Sequence, residues 1–177
     1  GEINPFDRSA LECALQLGFS NITVMTMAPK SVETNLKSIT RLGVNAILVT
    51  DDAFAGSDTL ATSYVLAKAV EKENPDLIFC GRQSVDGDTA QIPPMLAQRL
   101  NYGYIPKIVA IDNDTLTTRS KEEFSFCKGV QNGLILADYV NTCLTAGCYI
   151  HLTTDITDAS DSFFDDFNCF FHCRIPV

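Results

Sequence analysis

Apolar residues recur at helical spacing over residues 7–17, where Ala10, Leu11, Ala14, Leu15 and Leu17 fall on one side of a helix. Asn4-Pro5 provides a turn entry ahead of this segment and Gly18 a stop behind it. Residues 21–27 switch to a β-branched and apolar run that ends at Ala28-Pro29, which predicts a strand. Ser31 then offers a cap for an amphipathic helix carrying Val32, Leu36, Ile39 and Leu42, closed by Gly43. Ala46-Ile47-Leu48-Val49 is a short unbroken apolar run, the pattern of a strand covered on both faces.

The same unit follows again. Ser57, Asp58 and Thr59 are cap candidates for a helix over residues 60–73, with Leu60, Tyr64, Ala67 and Val70 on its expected buried face and Asn74-Pro75 at its end. Leu77-Ile78-Phe79-Cys80 is a third apolar run, and a helix is predicted over residues 89–100, capped by Asp88 or Thr89. A βαβαβα alternation predicts an α/β fold: a largely parallel, Rossmann-like sheet with helices on both faces, three layers deep, and right-handed crossovers. The pattern fades beyond Asn101, leaving one expected strand at residues 107–111. We therefore divide the chain into an α/β domain at residues 1–115 and a divergent or irregular segment at residues 116–177. That second part holds five of the seven cysteines and both histidines, and an acidic, Phe-rich stretch at residues 161–171.

With 46% hydrophobic and 20% charged residues, the chain has the balance of an ordered globular protein. A formal net charge of -9 repels phosphate backbones and anionic lipid, and no basic cluster offsets it, so nucleic acid is not an expected partner. A nucleotide remains possible, because N–H groups at helix starts give local positive potential whatever the total charge. No run approaches the roughly 18 apolar residues that spanning a bilayer requires, so no membrane insertion is expected. Gly1-Glu2-Ile3-Asn4-Pro5 lacks the basic-then-apolar signature of an export signal. Cys13 and Cys80 sit inside apolar patterns as small hydrophobes, which fits a reducing compartment: cytoplasm, or the mitochondrial matrix in a eukaryote. The acceptor triplets at Asn21 and Asn113 are too short to carry weight.

In a parallel α/β sheet, ligands collect where strands point their carboxyl ends and the following helices begin. Three loops qualify: Met27-Ala28-Pro29, residues 50–59, and residues 81–91. In the last, Gly81 frees the chain as it leaves a strand and Gly87 permits a tight turn. Backbone N–H groups from Thr89 to Ile92 would then face an anion. On composition alone, a capped connection that binds nothing stays open. Asp86 and Asp88 read as turn and cap residues rather than an acid–base pair, and no catalytic residue is assigned. Cys143, Cys148 and His151, with Cys169, His172 and Cys173, hold zinc-type ligands at a spacing that matches no finger pattern, so no metal ligand is assigned.

Several of these segments, in this order, resemble the β subunit of electron-transfer flavoproteins over residues 3–111. They are Asn4-Pro5-Phe6-Asp7, Asp58-Thr59-Leu60-Ala61-Thr62-Ser63, Gly81-Arg82-Gln83 and above all Asp86-Gly87-Asp88-Thr89-Ala90-Gln91. The resemblance implies an adenine-nucleotide-binding fold and a β subunit that holds FAD or AMP. Its partner would be an α subunit carrying the electron-transferring FAD, with dehydrogenases beyond it. The segments at 58–63 and 86–91 are similar to those of the electron-bifurcating branch, whose β-subunit FAD takes hydride from NADH, which favours FAD over AMP. It also implies that Asn4, Pro5, Phe6 and Asp7 line the adenosine end, with Met27 touching it through its backbone. Thr59 and Thr62 would reach flavin or phosphate. Asp86, Gly87, Asp88, Thr89, Ala90 and Gln91, with Ile92 and Pro93, would surround the diphosphate.

Three departures accompany it. Family members carry a strand ahead of the Asn-Pro-Phe segment, whereas Asn4 here follows only three residues. Pro93-Pro94 replaces a Gly-Pro or Gly-Gln pair and forfeits an N–H donor. The family's continuation is not recognisable beyond about residue 115. A non-redox module of the same fold, holding AMP or ATP, is the rival reading.

Overall fold

The computed structural model describes residues 4–19, 21–83, 87, 89–111, 117–120, 124–126, 134–137 and 168–173. Asp86, Asp88, the Asn113 triplet, Cys143, Cys148 and His151 lie outside these residues.

Pro5–Gln16 forms α1, entered through Asn4, whose Oδ1 accepts the Phe6 N–H at 3.2 Å. Proline is tolerated at the first helical position because the N–H it lacks would have no helical acceptor. Ile22–Met27 is β1, Glu33–Ile39 is α2 and Asn45–Val49 is β2. Thr59–Glu73 is α3, Leu77–Cys80 is β3 and Ile92–Leu100 is α4. Gly103–Ile105 is β4, Ile108–Ile111 is β5, Thr117–Ser120 is β6 and Phe124–Phe126 is β7. Leu134–Ala137 is β8 and Asn168–Cys173 is β9.

The main sheet runs β2-β1-β9-β3-β8-β4, while β5-β6-β7 makes a separate antiparallel sheet. Parallel pairing joins β1 to β2 and β8 to both β3 and β4. Successive residues of β1 and β3 divide between two cores, as a two-residue side-chain period requires. Val24, Leu77 and Phe79 join Ala10, Leu11 and Ala14 of α1 and Leu36 and Ile39 of α2. Met25, Ile78 and Cys80 join Leu66, Ala67 and Val70 of α3 and Leu96 and Ala97 of α4.

The main sheet is largely parallel, as expected, with one departure: β9 lies antiparallel between β1 and β3, with Cys169 opposite Thr26 and Phe171 opposite both Val24 and Phe79. β2 is an edge strand with Asn45 exposed, yet both its faces are packed, Ala46 and Leu48 against one core and Ile47 and Val49 against the other. Two expectations need correction. First, Ser31 caps nothing. It lies in a 3₁₀ turn, Lys30–Val32, whose entry at Pro29 has no side-chain cap, and α2 starts only at Glu33. Second, the buried stripe of α3 is Ser63, Leu66, Ala67 and Val70, whereas Leu60 and Tyr64 are 58% and 53% exposed. Ser63 sits in the stripe because its hydroxyl donates to the Leu60 carbonyl at 2.9 Å and accepts from Arg99 Nε at 3.1 Å. A hydroxyl so partnered can be buried cheaply, and residues 63, 66, 67 and 70 then complete one helical face.

Candidate functional site

Met27, Val49 and Cys80 end β1, β2 and β3 at one end of the sheet: Met27 is paired with Val49 on one side and Asn168 on the other, and Cys80 with Phe170. Chain leaving this end enters α3 through residues 50–58 and α4 through residues 81–91, and the α1 start lies against the exit of β3. This is the end at which α/β sheets hold ligands.

At the β3 exit the Gly81 N–H donates to Asp7 Oδ1 at 2.9 Å, and two residues on the Gln83 carbonyl accepts from Asn4 Nδ2 at 2.7 Å. Asn4 and Asp7 are 2% and 4% exposed, so both polar side chains are buried and employed within the protein. A Cβ at Gly81 would collide with Asp7 Oδ1 and fall 2.7 Å from the Asp7 nitrogen and 2.8 Å from the Phe6 carbonyl carbon. Only glycine allows strand and helix to meet so closely. The same neighbourhood contains the Cys80 thiol, free and buried, which burial pushes well above its ordinary range, with the Asp7 carboxylate adding to the effect.

Across the site α3 is capped by Asp58, whose Oδ1 accepts the Ala61 N–H at 2.8 Å while its carbonyl accepts the Thr62 N–H at 2.9 Å. The Thr59 hydroxyl donates to Gln91 Oε1 at 3.4 Å, so the start of α3 and the entry to α4 adjoin. Thr59 and Thr62 are half-buried.

The entry to α4 differs from the expected one. The helix begins at Ile92, not at Thr89, and its cap residue Gln91 makes no side-chain cap. Prolines fix this point: Pro93 and Pro94 lack N–H groups and fit only where no helical acceptor awaits one, so the first turn must contain both. The first helical bond is accordingly Met95 N–H to the Gln91 carbonyl at 3.1 Å. Ala90, at φ +53°, is left-handed and ends any helical run before it. Thr89 is therefore a loop residue, its hydroxyl 3.5 Å from the Gln91 nitrogen that donates to it. Of the first three residues of α4, Ile92 alone carries a backbone N–H.

Of the predicted site residues, the structure joins Asn4 and Asp7 to the β3 exit and Thr59 to Gln91. Pro5 is exposed and Phe6 half-buried at the α1 start, and Gly87, Thr89, Ala90 and Gln91 are exposed on the loop. Ile92 and Pro93 are buried, and Met27 packs half-buried against the α3–α4 core. Sequence reasoning missed Arg99, whose Nη2 donates to the Leu60 carbonyl at 3.3 Å and whose guanidinium lies 5.5 Å from the Tyr64 ring centre. A basic residue in the last turn of a helix usually answers the dipole, and nothing local signals a reach to a neighbouring helix.

A mixed α/β sheet that gathers helix starts and a glycine-bearing loop at its carboxyl end places the chain in the class of α/β proteins, in which ligands commonly bind at that end. Within that class this chain belongs to the electron transfer flavoprotein domain family, whose model matches residues 1–127. It is 44% identical over 135 residues to Protein FixA of Bradyrhizobium diazoefficiens, covering 68% of this chain and 47% of that protein. It is 42% identical over 153 residues to Protein FixA of Azotobacter vinelandii, covering 80% and 52%. It is 41% identical over 127 residues to the electron transfer flavoprotein subunit beta of Clostridium acetobutylicum, covering 68% and 49%. The chain thus spans about half the length of the curated relatives it matches. Among the described residues, no helix is long and apolar enough to cross a membrane.

Proposed function

We propose that this chain is the nucleotide-binding part of an electron-transfer flavoprotein β subunit, that its ligand is FAD, and that AMP is the alternative occupant of the same site. The observation that carries this reading is the meeting of the α3 start with the exposed loop before α4, joined by Thr59 and Gln91 at the carboxyl end of the sheet. The donor chemistry suits a diphosphate. The Ala61 N–H is taken by the Asp58 cap, which leaves the Thr59 and Leu60 N–H groups of the first turn of α3 without a helical acceptor; the Thr59 and Thr62 hydroxyls stand beside them, and Arg82 adds an exposed cation at the β3 exit. The adenosine end lies against Pro5 and Phe6 and the Met27 backbone. Residues 86–91 follow the diphosphate, with Ile92 and Pro93 fixing the end of that loop.

When bound, FAD supplies the redox chemistry, and the chain positions it and needs no catalytic side chain. The segments at 58–63 and 86–91 support the bifurcating form, in which NADH reduces this flavin. Electrons then pass to FAD on an electron-transfer flavoprotein α subunit in a heterodimer, and a dehydrogenase is a further partner; the setting is cytoplasmic. Residues 1–115 carry the binding unit as a three-layer αβα arrangement whose sheet is completed by β8 and β9.

The test is the absorbance spectrum of what the purified protein releases on denaturation. A flavin spectrum is expected; adenine absorbance alone moves the reading to AMP, and release of nothing, with no binding of added FAD or AMP, overturns it. For the bifurcating form, NADH bleaches the bound flavin of the αβ complex, and a flavin that NADH leaves oxidised there removes that branch.

A further inference from the structure

We infer that Asn4 and Asp7 are positioning residues: they moor the loop that leaves β3, and act on the ligand through that loop instead of touching it. The inference rests on the nucleotide-binding reading above and narrows the roles of two residues within it.

Three bonds carry it. Asn4 works at both ends of its amide, Oδ1 accepting from Phe6 N–H and Nδ2 donating to the Gln83 carbonyl. Asp7 Oδ1 accepts the Gly81 N–H. The two side chains are 2% and 4% exposed, so the surface open to a ligand at the α1 start is supplied by Pro5 and Phe6. Asp7 also stands in the first turn of α1, where the helix field favours a carboxylate in a position that would otherwise be costly to bury.

The loop is thereby held at both ends. Residues 81 and 83 are tied to α1, and at the far end Gln91 meets Thr59 while Ile92 is packed into the core. Between them Gly87, Thr89 and Ala90 are exposed. A ligand that needs this loop ordered binds more weakly when one mooring is cut, because it must then supply the ordering itself.

The experiment compares the full chain with Asp7→Asn, Asp7→Ala and Asn4→Ser. Asparagine keeps an Oδ1 acceptor for Gly81, and serine keeps the cap on Phe6 while losing the reach to Gln83. Amide exchange over residues 81–91 and binding of FAD and of AMP are measured on each, with urea midpoints to confirm folding. Asp7→Ala and Asn4→Ser are expected to speed exchange in the loop and to weaken both ligands about tenfold, while Asp7→Asn stays within about threefold of wild type in both readouts. Should Asp7→Ala not fold, Asn4→Ser decides. Loop exchange unchanged in the folded variants overturns the mooring whether or not a ligand is present. Binding that falls as far in Asp7→Asn as in Asp7→Ala overturns it in favour of direct contact by the carboxylate. A wild-type chain that binds neither FAD nor AMP sinks the function above, and the exchange data still decide the mooring.

Discussion

A methyl group placed on Gly81 would press on the Asp7 nitrogen and the Phe6 carbonyl carbon, both backbone atoms of the α1 start and therefore unable to swing aside. Gly81→Ala is expected to lower stability by about 1–3 kcal/mol, the usual cost of forcing extra volume into a packed region. A urea midpoint equal to wild type would show that the helix and strand separate freely. Next to it, Cys80 makes a pH prediction. Its thiol is held neutral in the fold, whereas in the unfolded chain it ionises near about pH 8.5. The folded pKa is the raised one, so this stability is complete below the unfolded value and declines as pH climbs above it, by at most about 1.4 kcal/mol per unit. Tyr102, raised by burial and by Asp76, extends the decline at higher pH. Cys80→Ala should flatten the first part of the decline in urea midpoints taken between about pH 7 and 10; an unaltered slope refutes the assignment. In the sequence Cys80 reads correctly as a small hydrophobe. Its proximity to Asp7, 73 positions earlier, does not show there.

Among the elements, α3 separates what periodicity reveals from what it leaves open. Its cap at Asp58 and its left-handed end at Asn74 are legible, because capping chemistry is local. Asp58→Ala should cost about 1 kcal/mol in thermal or urea unfolding. The choice of buried face is not legible, since Leu60-Tyr64 and Ser63-Leu66 are both spaced like a helical face; packing of Leu66, Ala67 and Val70 on the sheet and α4 takes the second, and the Arg99 contact makes Ser63 compatible with it. Leu66→Ala is accordingly expected to cost about 2–5 kcal/mol and Leu60→Ala to stay within about 0.5 kcal/mol. Equal losses would return the helix to the sequence-predicted phase. The start of α4 was readable in principle: Pro93-Pro94 carries the signal, but the glycine and cap candidates upstream drew the expected start to Thr89.

For the molecule as a whole, β9 is the strand that joins the two parts of the sheet, as it pairs with β1 on one side and β3 on the other. A chain ending at residue 167 would leave those two strands with unpaired backbone groups in the middle of the sheet. Amide exchange over Ile22–Met27 and Leu77–Cys80 is expected to accelerate at least about tenfold, equivalent to about 1.4 kcal/mol. Unchanged protection there would mean that β9 does not join the sheet in solution. By itself the sequence determined α1 through α4, β1 through β3 and the family's loop, because apolar period, caps and turn residues act within about a dozen neighbours. Tertiary structure alone decided which strand fills the centre of the sheet, which face α3 buries, and that Asn4 and Asp7 grip the chain beyond β3. Each of these depends on residues far apart in sequence meeting in space, and a local pattern of polar and apolar positions holds no record of the partner.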